Sequence, residues 1–221
     1  MTRILDIFFA SLALAMFTPF LIPIILILLF TGERKVFYFQ ERIGKHGVTF
    51  KLVKLVTMYE NSPNTGTGTI TTKDDPRILP IGKYLRKSKI NELTQIWNVL
   101  VGDMSLIGPR PLTNETFNYY SKDTSEYILK VRPGLSGIGS ILFRSEENLL
   151  ISNANPKIFY RDIIAPYKGK LEEWYVQNTN VRLYMLAIFI TIWTVIFPKS
   201  KIIWKVFKSL PKPPAELECF R

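Results

Sequence analysis

One cysteine and one histidine occur in 221 residues. The lone Cys219 excludes an intrachain disulfide and fits a reducing compartment. It reads as a tail residue without a role of its own. With His46 the sole histidine, a His-based metal site or a Ser-His-Asp triad has little support. Chemistry then falls to carboxylates, amides and cations. Internal repeats and heptad runs are missing as well. Acidic residues are scarce, 18 Asp+Glu against 29 Lys+Arg, for a net charge of +11. Such an excess suits a partner that carries phosphate: nucleic acid, anionic lipid or a nucleotide diphosphate. Hydrophobic residues make up 47% of the chain and aromatics 13%, more than suits a nucleic-acid binder. Membrane plus phosphate is the better joint reading, and no nucleic acid is expected. The length allows one ordinary domain with membrane-associated segments.

The longest apolar run is Ile4 to Phe30, interrupted by Asp6, Ser11 and Thr18. As a straight helix it would reach about 40 Å at about 1.5 Å per residue, more than a bilayer core of about 30 Å. Pro19 and Pro23 each remove a helical hydrogen bond, and the Thr18 hydroxyl can bond back to a carbonyl one turn earlier. Arg3 precedes the run, and Arg34 and Lys35 follow it. Positive residues favour the cytoplasmic side. A helix that enters, breaks at Thr18-Pro19 and returns keeps both basic ends inside. A straight, kinked span is the alternative.

Val36 to Lys54 reads as two short strands with a turn around Lys45-His46-Gly47, and 61–75 as a loop rich in Gly and Thr. Ser88 is expected to cap a helix running to about Val101, with a polar stripe of Asn91, Gln95 and Asn98. A helix is expected from Asn114 to Val131, followed by a rigid turn at VRPGLSG. Leu183 to Phe197 is apolar but short for a span. Beyond Pro198, Lys201, Lys205, Lys208 and Lys212 recur at helical spacing opposite Ile202, Ile203, Val206, Phe207 and Leu210. That pattern suits a helix lying on a membrane surface, or one packed on its own domain. The tail PKPPAELECFR is expected to fray.

Phosphate-binding candidates cluster in the middle of the chain. Arg86 falls just before the expected helix start, where free N–H groups attract anions. Arg110 sits between Pro109 and Pro111, which stiffen its backbone. Arg132, Arg144, Lys54 and Arg77 are further candidates, each equally readable as a surface ion pair. Asn91-Glu92 reads as helix-start chemistry, and Glu92 is also a fair Mg²⁺ ligand.

These residues resemble the bacterial sugar transferase family, the monotopic phosphoglycosyl transferases. The matching stretches are RILDIFFASLALAMFTPFLIP, FYFQERIGKHGVTFKLVKLVTM, KDDPRILPIGKYLRKSKINELTQIWNVLVGDMSLIGPRPL, and VRPGLSG followed by Arg144. The resemblance implies an α/β, mostly helical, membrane-associated single domain. It would comprise a re-entrant helix over 1–32 broken at Thr18-Pro19, a cytoplasmic transferase domain over 33–185, and an apolar and basic membrane-surface segment over 186–221. It implies transfer of a sugar 1-phosphate from a UDP-sugar to polyprenol phosphate, with Mg²⁺, at the bacterial inner membrane. The family's functional arginines fall on Arg86, Arg110 and Arg144, and its Glu on Glu92. Metal ligation falls on Glu92 and Asn91.

The departure is Asn91, which stands where the family carries its nucleophilic Asp. A neutral amide is a poor nucleophile and a weaker Mg²⁺ ligand. Four accounts stay open: Glu92 as nucleophile, direct attack by the carrier phosphate, an introduced substitution, or an inactive relative that binds nucleotide-sugar or polyprenol phosphate. Ser140 and Phe143, where many members carry Gln and Gly, bear on sugar recognition. The sugar and the oligomeric state are open, a homodimer being one option.

Overall fold

Thr2–Phe30 form one 29-residue helix, α1, in the computed structural model of the chain. The structure describes residues 2–60, 62, 75–144, 146–151 and 155–220. The loop expected over 61–75, Ser62 and Asp75 apart, and the side chain of Cys219 lie outside the described residues. The helix runs on through Pro19 and Pro23, so no helical residue is lost at the expected break. Thr18 Oγ1 donates to the Leu14 carbonyl at 2.6 Å, supplying a polar contact just before the two prolines withhold theirs.

One stripe of α1 faces protein at helical spacing. Ala10, with Ala13, Leu14 and Phe17 beside it, packs on Leu52, Ile96, Val99 and Met104. Leu21 and Leu28 pack on Leu55 and Leu85. The opposite stripe, including Ile4, Phe8, Leu12, Met16, Phe20, Leu26 and Phe30, is exposed along the full length. A continuous apolar face is exposed there, which is consistent with membrane association.

The strands β1 (Phe37–Ile43) and β2 (Thr49–Leu55) form the expected antiparallel hairpin, from Phe37 opposite Leu55 to Ile43 opposite Thr49. His46 and Gly47 adopt positive φ at its turn. The expected Ser88–Val101 helix is replaced by three pieces. Helix α2 (Pro80–Lys87) ends at Ser88, whose hydroxyl donates to the Tyr84 carbonyl at 2.8 Å. Ser88 therefore closes a helix instead of opening one. Lys89 is left-handed, a 3₁₀ turn covers Ile90–Gln95, and α3 spans Ile96–Val101. Arg86 correspondingly sits in the last turn of α2.

A short parallel pair follows. Strand β3 (Ser105–Ile107) lies beside β4 (Gly134–Ser136), so VRPGLSG is part strand where a rigid turn was expected. The expected helix 114–131 is split into α4 (Asn114–Phe117) and α5 (Lys122–Ile128). Ser121 restarts it by accepting the Thr124 N–H at 3.2 Å. Then come α6 (Ile138–Leu142), α7 (Glu146–Ile151), α8 (Pro156–Phe159), a π-helical turn (Tyr160–Ile164) and α9 (Ala165–Asn178). Helix α10 (Val181–Ile196) is capped by Asn180, and α11 covers only Ile202–Val206.

The largest core cluster joins α6, α9, α10 and the C-terminal stretch through Ile138, Ile164, Leu171, Tyr184 and Ile190. Ile203, Phe207 and Leu210 are buried in it. The apolar side of the lysine-rich stretch thus serves the core and forms no long membrane-surface helix. Leu217 is buried in the same cluster, so the tail docks where fraying was expected. The whole is a mostly helical single domain with small sheets and one long apolar N-terminal helix.

Candidate active site

The hairpin supplies the first cations. Side chains alternate along a strand, so Tyr38, Gln40 and Arg42 share a face with Leu52 and Lys54 across the ladder. Gln40 Oε1 accepts from Arg42 Nη2 at 2.6 Å and from Lys54 Nζ at 3.4 Å. Arg42 Nη1 donates to the Pro111 carbonyl at 3.1 Å and ties the hairpin to the loop after β3. That loop carries Arg110 between the buried Pro109 and Pro111.

The 3₁₀ turn brings Glu92 to the same place. Thr94 Oγ1 donates to the Val53 carbonyl at 3.0 Å. Asn98 Oδ1 accepts the Val53 N–H at 3.0 Å, and its Nδ2 donates to the Lys51 carbonyl at 2.8 Å. The polar stripe read from spacing therefore faces inward and docks the turn on β2. A small cleft results, lined by Arg42, Lys54, Glu92, Gln95, Arg110 and Pro111 among others.

Charges in this cleft strongly perturb one another. Burial, then repulsion from Arg42, pushes Lys54 down to about 7, with Glu92 opposing. Burial, then Arg110, lowers Arg42 to about 10. Burial raises the Glu92 carboxyl, but Arg110, Lys54, Lys89 and Arg42 outweigh it and hold Glu92 below its ordinary value. Arg110 is surrounded by protein yet open to solvent at the cleft mouth. Burial works against its charge, and Glu92 and Glu146 more than restore it. The cleft lining itself sets Glu92 alone against Arg42, Lys54 and Arg110, and so is short of anionic charge. A phosphorylated ligand provides that charge.

Asn91 is buried beside Glu92, and its Oδ1 has no hydrogen-bond partner. Arg86 is half-buried, with Nη1 at 3.8 Å from Met58 Sδ, and its charge acts on Lys54. Arg144 is exposed just past α6, and among the described residues no hydrogen bond or ion pair ties it to the cleft. Arg132 Nε donates to the Gly102 carbonyl at 2.7 Å, and Arg77 pairs with the buried Asp75 at 2.6 Å. Both have structural employment. Thr18 and Pro19 lie on the exposed side of α1.

Sequence reasoning missed Arg42, although period-2 alternation with Lys54 carried the signal. It also missed a buried group beside Arg110. There Lys168 pairs with Glu146 at 2.6 Å. Burial lifts Glu172 to about 7, and burial likewise lifts Tyr160, at the start of the π-helical turn, to about 12. No local pattern announces these, because α7, α8 and α9 bring them together only on folding.

A family model described as bacterial sugar transferase matches residues 1–198. The chain belongs to the bacterial sugar transferase family. Among relatives of this transferase, the exopolysaccharide production protein ExoY of Sinorhizobium fredii is 31% identical over 204 residues, 86% of this chain and 83% of that protein. The UDP-N-acetylgalactosamine-undecaprenyl-phosphate N-acetylgalactosaminephosphotransferase of Aeromonas hydrophila is 30% identical over 198 residues, 88% of this chain and 43% of that protein. The UDP-glucose:undecaprenyl-phosphate glucose-1-phosphate transferase of Caulobacter vibrioides is 36% identical over 143 residues, 63% of this chain and 52% of that protein. The transferase thus spans about half the length of the last two.

Among the described residues, no group of three or more His, Cys, Asp or Glu side chains could hold a metal ion. Glu92 and the unpartnered Asn91 Oδ1 fit only an ion that takes its remaining ligands from phosphate and water, as Mg²⁺ commonly does.

Proposed function

We propose that this transferase moves a sugar 1-phosphate from a UDP-sugar to polyprenol phosphate, with release of UMP. The observation that carries the reading is the cleft of Arg42, Lys54 and Arg110 around Glu92, beside a helix with a full-length exposed apolar face. The cleft suits a diphosphate, and the apolar face suits a lipid carrier's surroundings. Relatives named for undecaprenyl-phosphate sugar-phosphate transfer support both substrates.

Arg110 grips the diphosphate with its planar fork, and Arg42 and Lys54 add charge from the hairpin. Glu92, kept ionised by these cations, is the available nucleophile where Asn91 offers only an amide. Its carboxylate oxygen attacks the sugar-bearing phosphorus, and the bridging bond to UMP breaks. An oxygen of polyprenol phosphate then attacks the same phosphorus and restores the Glu92 carboxylate. Mg²⁺, held by Glu92, Asn91 Oδ1 and phosphate oxygens, would neutralise charge on the diphosphate.

The helix α1 serves as a re-entrant anchor with the domain on the cytoplasmic side of the inner membrane. Two contacts support this. Arg3 Nη2 donates to the Leu100 carbonyl at 2.7 Å, and Leu28 packs on Leu55 and Leu85. Contacts near both ends of α1 keep it against the same domain.

The test is UMP release from UDP-sugars with undecaprenyl phosphate and Mg²⁺ in detergent, with intact-mass analysis of the protein. Release by the native chain, a sugar-phosphate adduct, and loss of both in Glu92→Gln are expected. No release across a broad donor panel, for the native chain and for Asn91→Asp, would sink the reading.

A further inference from the structure

The carboxylate of Asp6 interrupts an otherwise apolar stretch of α1 and is only 2% exposed. An ionisable group in such a helix is costly unless it is paired. Three donors converge on its Oδ1: Ser105 Oγ at 2.9 Å, the Leu106 N–H at 2.8 Å and Tyr184 Oη at 2.5 Å. Two of these belong to β3, and Tyr184 belongs to α10. Strand β3 runs directly into Gly108, Pro109 and Arg110. Its last residue is held as well, because Tyr175 Oη donates to the Ile107 carbonyl at 3.1 Å. The strand has only three residues and a three-residue partner, so its own ladder cannot fix it firmly. A rigid platform is nonetheless what an arginine needs to hold a diphosphate in register.

We propose that Asp6 is a positioning residue for Arg110, by which the membrane helix holds in place the strand that carries the phosphate grip. The alignment of the site then depends on how α1 is seated. For its ligand, this inference rests on the transferase reading.

The full-length protein in detergent carries the test, with UDP as the probe. Asp6→Leu removes the acceptor, whereas Asp6→Asn keeps an Oδ1 that can accept the same donors. Buried donors left unpaired should loosen β3, so Asp6→Leu is expected to bind UDP about tenfold more weakly, with Asp6→Asn close to native. In a double-mutant cycle, Asp6→Leu with Arg110→Ala should bind no more weakly than Arg110→Ala alone. Should Asp6→Leu be too unstable to purify, Tyr184→Phe removes one donor and should shift affinity the same way by less. Unchanged UDP affinity in Asp6→Leu and Tyr184→Phe, or losses that add to that of Arg110→Ala, would overturn the proposal. A second readout needs no ligand. Amide hydrogen exchange over 104–110 should quicken in Asp6→Leu and not in Asp6→Asn, and equal protection in all three proteins would overturn the proposal even if the native chain ignores UDP. Indifference of the native protein to UDP would instead count against the transferase reading.

Discussion

Lys54 loses its proton near neutrality because burial and the neighbouring Arg42 and Arg110 penalise its charge more than Glu92 favours it. Two consequences follow at the residue scale. Between about 7 and the ordinary value of 10.5, the unfolded chain holds this proton and the native chain does not. Stability from this group is therefore present at high pH and lost as pH falls through about 7. A bound diphosphate reverses the local field and raises the affinity of Lys54 for its proton. UDP binding at pH 8 should then take up a proton, up to about one per site. Calorimetry in buffers of differing ionisation enthalpy measures it. Lys54→Met should abolish the uptake, and identical apparent enthalpies for the native protein across buffers would refute the assignment.

At the scale of elements, the β3–β4 pair is the tightest junction of the site. Gly134 lies so close to Gly108 that a Cβ on it would stand 2.1 Å from the Gly108 nitrogen. No side chain fits, since the three nearest atoms, Gly108 N and O and Ser136 O, are all backbone. Gly134→Ala must push the strands apart, and overpacking of this kind costs about 1–3 kcal/mol or more. The expected outcome is a lower thermal midpoint in detergent with a UDP affinity loss larger than stability alone explains, because Gly134 also lines the cleft. A variant with native midpoint and native affinity would contradict the close approach.

The molecule as a whole presents apolar surface to one kind of environment. The outer stripe of α1 is exposed from Ile4 to Phe30, and Phe189, Ile192 and Val195 of α10 are more than half exposed. Asp6 and Tyr184 hydrogen-bond these two helices to each other. Re-entrance makes a topological prediction. In a Cys219→Ser background, Thr2→Cys and Arg34→Cys should both escape an impermeant maleimide in intact spheroplasts and both react after permeabilisation. Reaction of only one of them in intact cells would establish a straight span.

Much of this protein is legible without folding it. Local chemistry specifies the apolar N-terminal helix, the hairpin with its turn at His46-Gly47, and the candidacy of Arg110 and Glu92, because these depend on neighbours within a few residues. Tertiary contacts decided the rest. The helix expected after Ser88 was broken because the Ile90–Gln95 turn must dock Thr94 on the edge of β2, with Asn98 following in α3. VRPGLSG became a strand only because Ser105–Ile107 lies beside it. The lysine-rich segment turned its apolar residues inward because α9 and α10 offered them a core. Arg42, Lys168 and Glu172 join the neighbourhood of Arg110 across tens of residues, and such proximity, like the charge shifts it produces, exists only once the chain is packed.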